Sequence, residues 1–163
     1  MQDGYACPKK DLCDKNHCTN PLHGFVKHDE TLMRLIMSPH HISHGKISPA
    51  AFSEKDLCMR GLSTNRKRFF TANDAVKISQ KIIGERDVTL AGCCAAKAID
   101  IRGLQHNNET VCLICPSGTQ NNHSHADIYV IGKFTYAEFN KLRVALKNLF
   151  SQFPIDCTEM LSS

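Results

Sequence analysis

Two segments of the chain repeat apolar residues at the spacing of an amphipathic α-helix. Each begins with a capping box, formed by Thr71 and Asp74 in the first and by Thr135 and Glu138 in the second. A glycine after the first stripe and a proline after the second are expected to end the helices. The predicted core-facing stripes are Ala72, Ala75, Val76, Ser79, Ile82 and Ile83, then Phe139, Leu142, Leu146, Leu149, Phe150 and Phe153.

Shorter apolar runs bounded by turn-forming residues predict strands. They cover residues 87–96, 110–115 and 126–132, and a further extended piece is predicted over 98–104. Helices and strands in this order indicate an α+β fold, in which helices pack on a small, mostly antiparallel sheet.

A shorter helix is predicted near the N-terminus. Asp29 is placed to cap it, Leu32, Leu35 and Ile36 recur at helical spacing, and Pro39 is expected to end it. Three histidines follow in a loop, where solvent exposure is favoured over a metal site because no cysteine or acid lies at ligand spacing. They are His40, His41 and His44.

Length and composition are those of an ordinary globular protein of one domain. The chain has 163 residues and a formal net charge of +4, which is too weakly basic to establish nucleic-acid binding. No apolar run reaches the length of a membrane helix, and residues 1–4 show no secretory pattern. We therefore expect a cytoplasmic protein without membrane attachment, and the odd count of nine cysteines argues against a disulfide framework.

Cysteines and histidines near the N-terminus form the strongest chemical signal. Their spacing is C-x5-C-x4-C-x4-H, and a structural zinc ion requires four such ligands in a tetrahedron. His17 and His28 are alternatives for the fourth position. The residues between the ligands are polar and turn-rich, so zinc is expected to couple to the folding of this segment. The predicted ligands are Cys7, Cys13, Cys18 and His23.

The motif over residues 13–23 reads C-x4-C-x-N-P-x-H. Through it, residues 7–36 resemble the zinc knuckle of His-Me finger (HNH-type) homing and phage endonucleases. The family's general-base histidine corresponds here to Asp11, and Asp29–Ile36 contains neither the asparagine nor the histidine that holds the family's catalytic metal. The resemblance therefore implies a knuckle kept for structure without the nuclease chemistry. The predicted organisation is a zinc knuckle subdomain over 1–30, an α+β domain over 31–155 that is continuous with it, and a loose tail over 156–163.

A weaker resemblance covers most of the chain. Some uncharacterised bacterial proteins are similar in the order of short segments that follow the knuckle: Leu-x-Arg, Gly-Lys-Ile-Ser-x-x-Ala-Phe, Leu-Ser and a late His-Ala. These segments lie here at 32–34, 45–52, 62–63 and 125–126. The similarity implies no activity.

Two further clusters carry weaker signals. Arg66, Lys67 and Arg68 stand beside two phenylalanines and are candidates for binding nucleic acid, although a solvated turn is the favoured interpretation. Cys93 and Cys94 are interpreted as buried packing residues rather than as a redox pair.

The polar loop over 116–125 precedes a predicted strand and is long enough to carry chemistry. His123 and His125 are two residues apart, so both are able to face one side of an extended segment. His125 is the strongest single functional candidate, beside the alternative of a structural hydrogen bond at the sheet edge. Cys112 and Cys115 are a weak metal signal, because residues three apart on a strand point to opposite faces.

Three functional hypotheses follow. The first, which the sequence favours, is a zinc-stabilised bacterial or phage-type binding module without catalysis, whose partner is nucleic acid or another protein. The second is an enzyme in which arginine holds an anion and histidine moves a proton. The third is a divergent His-Me finger nuclease that uses Asp11, and the oligomeric state stays open under all three. The residues of the candidate enzyme site are Arg34, Ser63, Arg66 and His125.

The zinc prediction is tested by the metal content of reduced, purified protein, measured by elemental mass spectrometry. We expect about one zinc ion per chain. Cys18→Ser removes one thiolate and should lose the zinc and unfold at a lower temperature, because metal binding and folding are coupled. Freshly prepared protein without zinc would remove the comparison with His-Me finger knuckles.

Overall fold

The structure of the protein is a computed structural model that describes residues 5–7 and 23–163. Eleven strands lie in this part of the chain. In chain order they are β1 (Tyr5–Cys7), β2 (Thr31–Ser38), β3 (Ile42–Ser43), β4 (Lys46–Ile47), β5 (Leu62–Arg66), β6 (Thr89–Lys97), β7 (Gln105–His106), β8 (Glu109–Thr110), β9 (Cys112–Pro116), β10 (His125–Val130) and β11 (Gly132–Phe134).

Helices and helical turns alternate with these strands. No helix of the described residues combines the length and hydropathy needed to cross a membrane. The α-helices are α1 (Ala72–Glu85), α2 (Ala98–Arg102), α3 (Tyr136–Leu149) and α4 (Cys157–Ser162), with 3-10 turns at Pro49–Phe52 and Lys67–Phe69 and a π-helical turn at Asp56–Arg60.

A five-stranded antiparallel sheet organises the fold in the order β6-β2-β5-β10-β9. Three small antiparallel pairs accompany it: β1 with β11, β3 with β4, and β7 with β8. The predicted α+β class with a mostly antiparallel sheet is confirmed.

Strand β2 corrects the prediction of a helix over this segment. Leu32 and Ile36 are buried in the core on one side of the sheet, and Met33 and Leu35 are buried in the core on the other. A strand buried on both faces has a continuous apolar run without polar alternation. Its sequence therefore matches helical spacing equally well. The element ends where the sequence predicts, because Pro39 directly follows the last strand residue.

The two faces of the sheet carry separate apolar cores. The larger core includes Ile101 of α2 together with Phe139 and Leu146 of α3. The smaller core includes Ala75 of α1 and Met160 of α4. Each α-helix thus covers one face of the sheet and shields it from water.

Both long helices occur where the capping boxes predict them, and both boxes are formed. The stripe of α1 is rotated from the predicted one, because Val76 and Ile83 are exposed while Ile78 packs on the smaller core. Helix α3 ends at Leu149, so Phe153 lies beyond it with 53 % of its surface exposed instead of in the core.

Two other segments differ from their predictions. Residues 98–102 form α2 rather than an extended piece, with Ala98 and Ile101 buried one helical turn apart. The expected loose tail forms α4, which Asp156 caps by accepting hydrogen bonds from two backbone amides. Cys157 and Met160 anchor this helix in the smaller core.

The predicted burial of Cys93 and Cys94 is confirmed, since both side chains are fully buried on β6. They belong to opposite cores, as expected for neighbours on a strand. Burial raises the pKa of Cys94 to about 12, so this residue stays a thiol near neutral pH. Cys112 and Cys115 are also buried, on β9.

A buried ion pair ties the segment before β2 to the end of β5. Arg66 Nε donates to Glu30 Oε2 and Arg66 Nη2 to Glu30 Oε1, each over 2.7 Å, and both side chains are 2 % exposed. Nη1 also donates to the Gly24 carbonyl over 2.8 Å. Burial disfavours the charged carboxylate of Glu30, but hydrogen bonds from Arg66 and from the Lys27 amide outweigh it and lower its pKa. Arg66 is therefore a structural anchor.

Arg66→Met would leave Glu30 buried without its counter-ion. Breaking a buried ion pair from one side costs about 3–5 kcal/mol, so the free energy of unfolding in urea should fall by that order. The matched control is Arg68→Met, whose side chain is half exposed and 3.9 Å from Glu30. An exposed pair contributes only about 0–1 kcal/mol. Equal unfolding midpoints for the two variants would contradict the anchoring role.

Candidate functional site

Strands β5 and β10 bring polar side chains to one face of the sheet. In their antiparallel register, Ser63 pairs with Asp127 and Asn65 pairs with His125. Paired residues lie on the same side of a sheet, and residues two apart on a strand share that side. Ser63, Asn65, His125 and Asp127 consequently face one another over the same patch of sheet.

A chain of hydrogen bonds connects this patch, and we refer to its members, Ser63, His125, Ser117 and Asp127, as the relay. Ser63 Oγ contacts His125 Nε2. On the other side of the ring, His125 Nδ1 is 2.8 Å from Ser117 Oγ, and Ser117 Oγ donates to Asp127 Oδ2 over 2.7 Å. Asp127 Oδ1 lies 3.7 Å from His125 Nε2.

The relay assigns the proton positions on neutral His125. Ser117 has one hydroxyl proton, which it donates in a hydrogen bond to Asp127 Oδ2. The Ser117 oxygen is therefore left to accept a hydrogen bond from His125 Nδ1–H. The lone pair of Nε2 is then directed at the Ser63 hydroxyl, which donates to it. This is the tautomer that a general base acting on a serine requires.

The loop before β10 places Ser117 opposite His125. The Ser117 amide donates to the His125 carbonyl over 3.1 Å, and Thr119 and Asn122 exchange two backbone hydrogen bonds at the tip. The predicted polar loop is thus a hydrogen-bonded turn, which holds the third member of the relay in register.

Gly61 fixes the position of the relay carboxylate. Its φ is +89°, and a Cβ added there would lie 2.6 Å from Asp127 Cβ and 2.8 Å from Tyr129 Cζ. The Gly61 amide donates to the Asp56 carbonyl over 2.8 Å, which holds the backbone against these side chains. No other residue type fits this close approach without displacing Asp127.

The relay opens into a cavity of about 570 Å³, which is the size of a small-molecule site. Exposure falls along the relay: Ser63 is exposed, His125 and Ser117 are half-buried, and Asp127 is 9 % exposed. An accessible hydroxyl backed by progressively more buried groups suits an attack on a bound molecule. The cavity is also lined by Arg34, Leu35, Met37, His41, Ser53, Lys55, Asp56, Arg60, Gly61, Asn65, Ile78, Ile82, Glu85, Arg86 and Asn122.

Arg34 reaches this cavity from β2. Pairing between β2 and β5 is limited to Leu32 and Met33, and past that point the Arg34 guanidinium lies beside β5. Its Nη1 donates to the Ser63 carbonyl over 2.8 Å and its Nε to the Ala51 carbonyl over 2.7 Å. Burial lowers the pKa of Arg34 from its usual value.

Three of the four predicted enzyme-site residues therefore converge. Arg34, Ser63 and His125 line one cavity, whereas Arg66 follows Leu62 and Thr64 on the opposite side of β5. Its guanidinium is occupied by Glu30. Sequence reasoning missed Ser117 and Asp127, although Asp127 lies two residues after His125 on a predicted strand, the spacing that places both on one face.

Only part of the basic stretch formed by Arg66, Lys67 and Arg68 is exposed to solvent. Arg66 is buried and paired, so its charge does not face a partner. Arg68 is exposed and stacks on Phe69, with its Cζ 4.9 Å from the ring centre. Lys67 Nζ donates to Ser163 Oγ over 3.3 Å. Nucleic-acid binding by this stretch stays a prediction.

Three of the six candidate zinc ligands lie outside the described residues. These are Cys13, Cys18 and the alternative His17, while Cys7 contributes its backbone to the pairing of β1 with β11. Within residues 23–163, no group of three or more potential ligands is placed to hold a metal ion. The zinc site stays a prediction, and its alternative ligand His28 is exposed.

His23 and His123 form a separate contact at the surface. His23 stacks on Phe69 with ring centres 3.9 Å apart, and its Nε2 is 3.1 Å from His123 Nδ1. The two loop histidines have different partners: His123 meets His23, whereas His125 belongs to the relay.

Two of the three loop histidines are exposed as predicted, but His41 is half-buried beside the cavity. Its Nδ1 accepts a hydrogen bond of 3.1 Å from the Met37 amide. Burial, reinforced by the charge of Arg34, lowers the pKa of His41 to about 4. His41 is therefore neutral at physiological pH.

Comparison of the chain with protein families, curated proteins and solved structures finds no match in any of the three. The geometry of the site is accordingly the basis for assigning a function.

His41 should make stability fall in mild acid. Its pKa is lower when folded than its ordinary value of 6.5, so the unfolded chain binds the extra proton more readily. Its contribution is complete above pH 6.5 and is lost as the pH falls towards about 4. We expect His41→Gln to show a smaller loss of unfolding free energy between pH 7 and about pH 4.5 than the unaltered protein, measured by urea titration.

The control for this prediction is His44→Gln, which alters an exposed histidine of the same loop. It should retain the full pH dependence. Parallel pH profiles for His41→Gln and the unaltered protein would show that burial of His41 does not control acid stability.

Proposed function

We propose that the protein is a serine-type hydrolase acting on a small acyl ester in the cavity. The observation that carries this proposal is the contact of exposed Ser63 with His125 Nε2, while Nδ1 of the same ring is held by Ser117, which donates to Asp127. A nucleophile, a base at hydrogen-bond distance and a group that orients the base are the arrangement that covalent acyl transfer requires.

In the first step, Ser63 Oγ attacks the carbonyl carbon of the ester. The Oγ–C bond forms as the hydroxyl proton moves to His125 Nε2. The bond to the leaving alcohol then breaks, and the alcohol takes the proton from Nε2. Ser63 is left as an acyl ester with His125 neutral again.

In the second step, water replaces the alcohol. His125 Nε2 takes a proton from water as its oxygen attacks the acyl carbon, and the same proton returns to Ser63 Oγ when the acyl bond breaks. A carboxylic acid leaves and the relay returns to its starting state.

Ser117 and Asp127 act on the histidine rather than on the substrate. Ser117 fixes the Nδ1–H tautomer, and the Asp127 carboxylate, 3.7 Å from Nε2, stabilises the imidazolium that exists between proton transfers. The close approach of Gly61 holds that carboxylate in place. They are positioning residues.

This proposal reverses the preference for a non-catalytic binding module. The basic stretch on which that module relies has its first arginine consumed by a buried ion pair. The predicted zinc knuckle would then be a structural appendage to the hydrolase, consistent with the missing catalytic histidine at Asp11.

A fluorophosphonate tests the proposal, because it forms an Oγ–P bond with an activated serine and releases fluoride. We expect labelling of Ser63 in the unaltered protein, located by peptide mass spectrometry. General-base catalysis contributes about 10²–10⁴-fold, so His125→Gln should slow labelling by that order. Asp127→Asn should slow it as well, with both variants first shown to be folded by circular dichroism.

The chain contains a matched control serine. Ser43 is also exposed, and its Oγ is 3.1 Å from His44 Nδ1, but it has no buried group behind the ring within the described residues. It should stay unlabelled. Equal labelling of Ser43 and Ser63, or no labelling of Ser63 at all, would refute a hydrolase mechanism.

A further inference from the structure

Two buried arginines of the sheet satisfy their charge differently. Arg66 is paired with a carboxylate, whereas Arg34, which is 6 % exposed, forms no ion pair with any described residue. A buried charge without a counter-ion is costly, and proteins rarely keep one unless it meets a partner. Arg34 therefore has unused binding capacity.

Arg34 leaves β2 on the side of Cys94 and the larger core, and it lines the cavity where the pairing of β2 with β5 has ended. The two hydrogen bonds of Arg34 use Nε and one proton of Nη1, and both acceptors are backbone carbonyls. A guanidinium has five N–H donors. The donors of Nη2 have no acceptor among residues 23–163, and the side chain lines the cavity wall.

The acids around the cavity do not neutralise Arg34. Asp127 is engaged by Ser117, and Asp56 accepts a hydrogen bond of 2.7 Å from Ser53. Asp56 favours the charged guanidinium from a distance but does not reach ion-pair contact. Glu85 is exposed. Three exposed cations add positive charge to the same wall: Lys55, Arg60 and Arg86.

We propose that the cavity binds a molecule with an anionic oxygen group, a carboxylate or a phosphate, through the Nη2 donors of Arg34. Describing that molecule as the substrate rests on the proposed hydrolase function, since Arg34 Nη1 already holds the Ser63 carbonyl. The anion would lie beside the nucleophilic serine, so it anchors the substrate while the ester group meets Ser63. Charge-assisted bonds from a rigid guanidinium select such groups over neutral ones.

The test titrates the protein with inorganic phosphate and, separately, with acetate, against chloride at equal ionic strength. Calorimetry should detect binding of at least one of the two, and the better ligand indicates whether phosphate or carboxylate is recognised. Arg34→Lys keeps the charge but loses the planar fork, and should weaken binding roughly tenfold or more. Arg60→Gln and Arg86→Gln, which remove exposed cations of the same cavity, should change it by less than about threefold.

A measurement on the unaltered chain covers the case in which Arg34→Lys does not fold. Phosphate or acetate should shift the assigned side-chain ¹⁵N–¹H resonance of Arg34 Nε in NMR spectra. An unmoved resonance, binding of neither anion above chloride, or unchanged affinity in folded Arg34→Lys would overturn the proposal.

Ser63→Ala separates this proposal from the hydrolase mechanism. It removes the nucleophile but not the Ser63 carbonyl that holds Arg34, so anion affinity should stay within about threefold of the unaltered protein. Anion binding without fluorophosphonate labelling would leave the anion site standing and refute the hydrolase alone. Labelling of Ser63 without anion binding would leave the hydrolase proposal standing and refute the anion site.

Discussion

The antiparallel pairing of β5 with β10 is the constraint on which the core and the cavity both depend. On one side, this pairing places Leu62 opposite Ile128 within the larger core. On the other side, the same register places Ser63 opposite Asp127. Because side chains alternate with a period of two, a slip of β10 by one residue would turn His125 and Asp127 towards the core and its apolar residues towards the cavity. The stability of the core therefore also sets the register of the site.

The two buried arginines, Arg34 on β2 and Arg66 on β5, have different charge environments. Arg66 meets the carboxylate of Glu30 in a buried, bidentate pair, which closes the segment before β2 onto β5. Arg34 meets only carbonyl groups, and its flank is the ring of Phe52, whose centre is 5.8 Å from Cζ. An arginine whose charge is fully paired with a carboxylate suits a structural role, whereas a buried arginine without a counter-ion suits the binding of an anion. The contrast separates two arginines that look alike in the sequence.

The sequence predicts those features that depend on local chemistry. Both long helices follow from their capping boxes, and the buried pair of cysteines on β6 follows from composition. The sequence predicts a helix where β2 lies, because burial on both faces removes the alternation that distinguishes a strand from a helix. Its two sides are covered by elements far away in the chain, which no local pattern reports.

The residues of the site also divide into those that local sequence predicts and those that only long-range strand pairing brings together. Residue type and position in the sequence predict Arg34, Ser63 and His125, but Ser117 and Asp127 join them only through the register of β10 with its two neighbours. The sequence groups Arg66 with the site, because a basic residue looks the same in a sequence whether its side chain is exposed or paired with a carboxylate in the interior. Its burial depends on Glu30, which lies 36 positions away in the chain.

The cavity exists because one face of the sheet changes character along the strand order. On β2 and β6, this face is apolar, with Met33, Leu35 and Cys93 packed beneath α1 and α4. On β5 and β10 the same face carries the relay, and of α1 only Ile78, Ile82 and the terminal Glu85 reach the cavity. Extending an apolar helix over hydroxyl, imidazole and carboxylate groups would bury them without water, at a cost of several kcal/mol. The polar residues thus keep half of the face uncovered. Arg34 leaves β2 on the opposite face and reaches the boundary between the two halves where its Nη1 meets the Ser63 carbonyl.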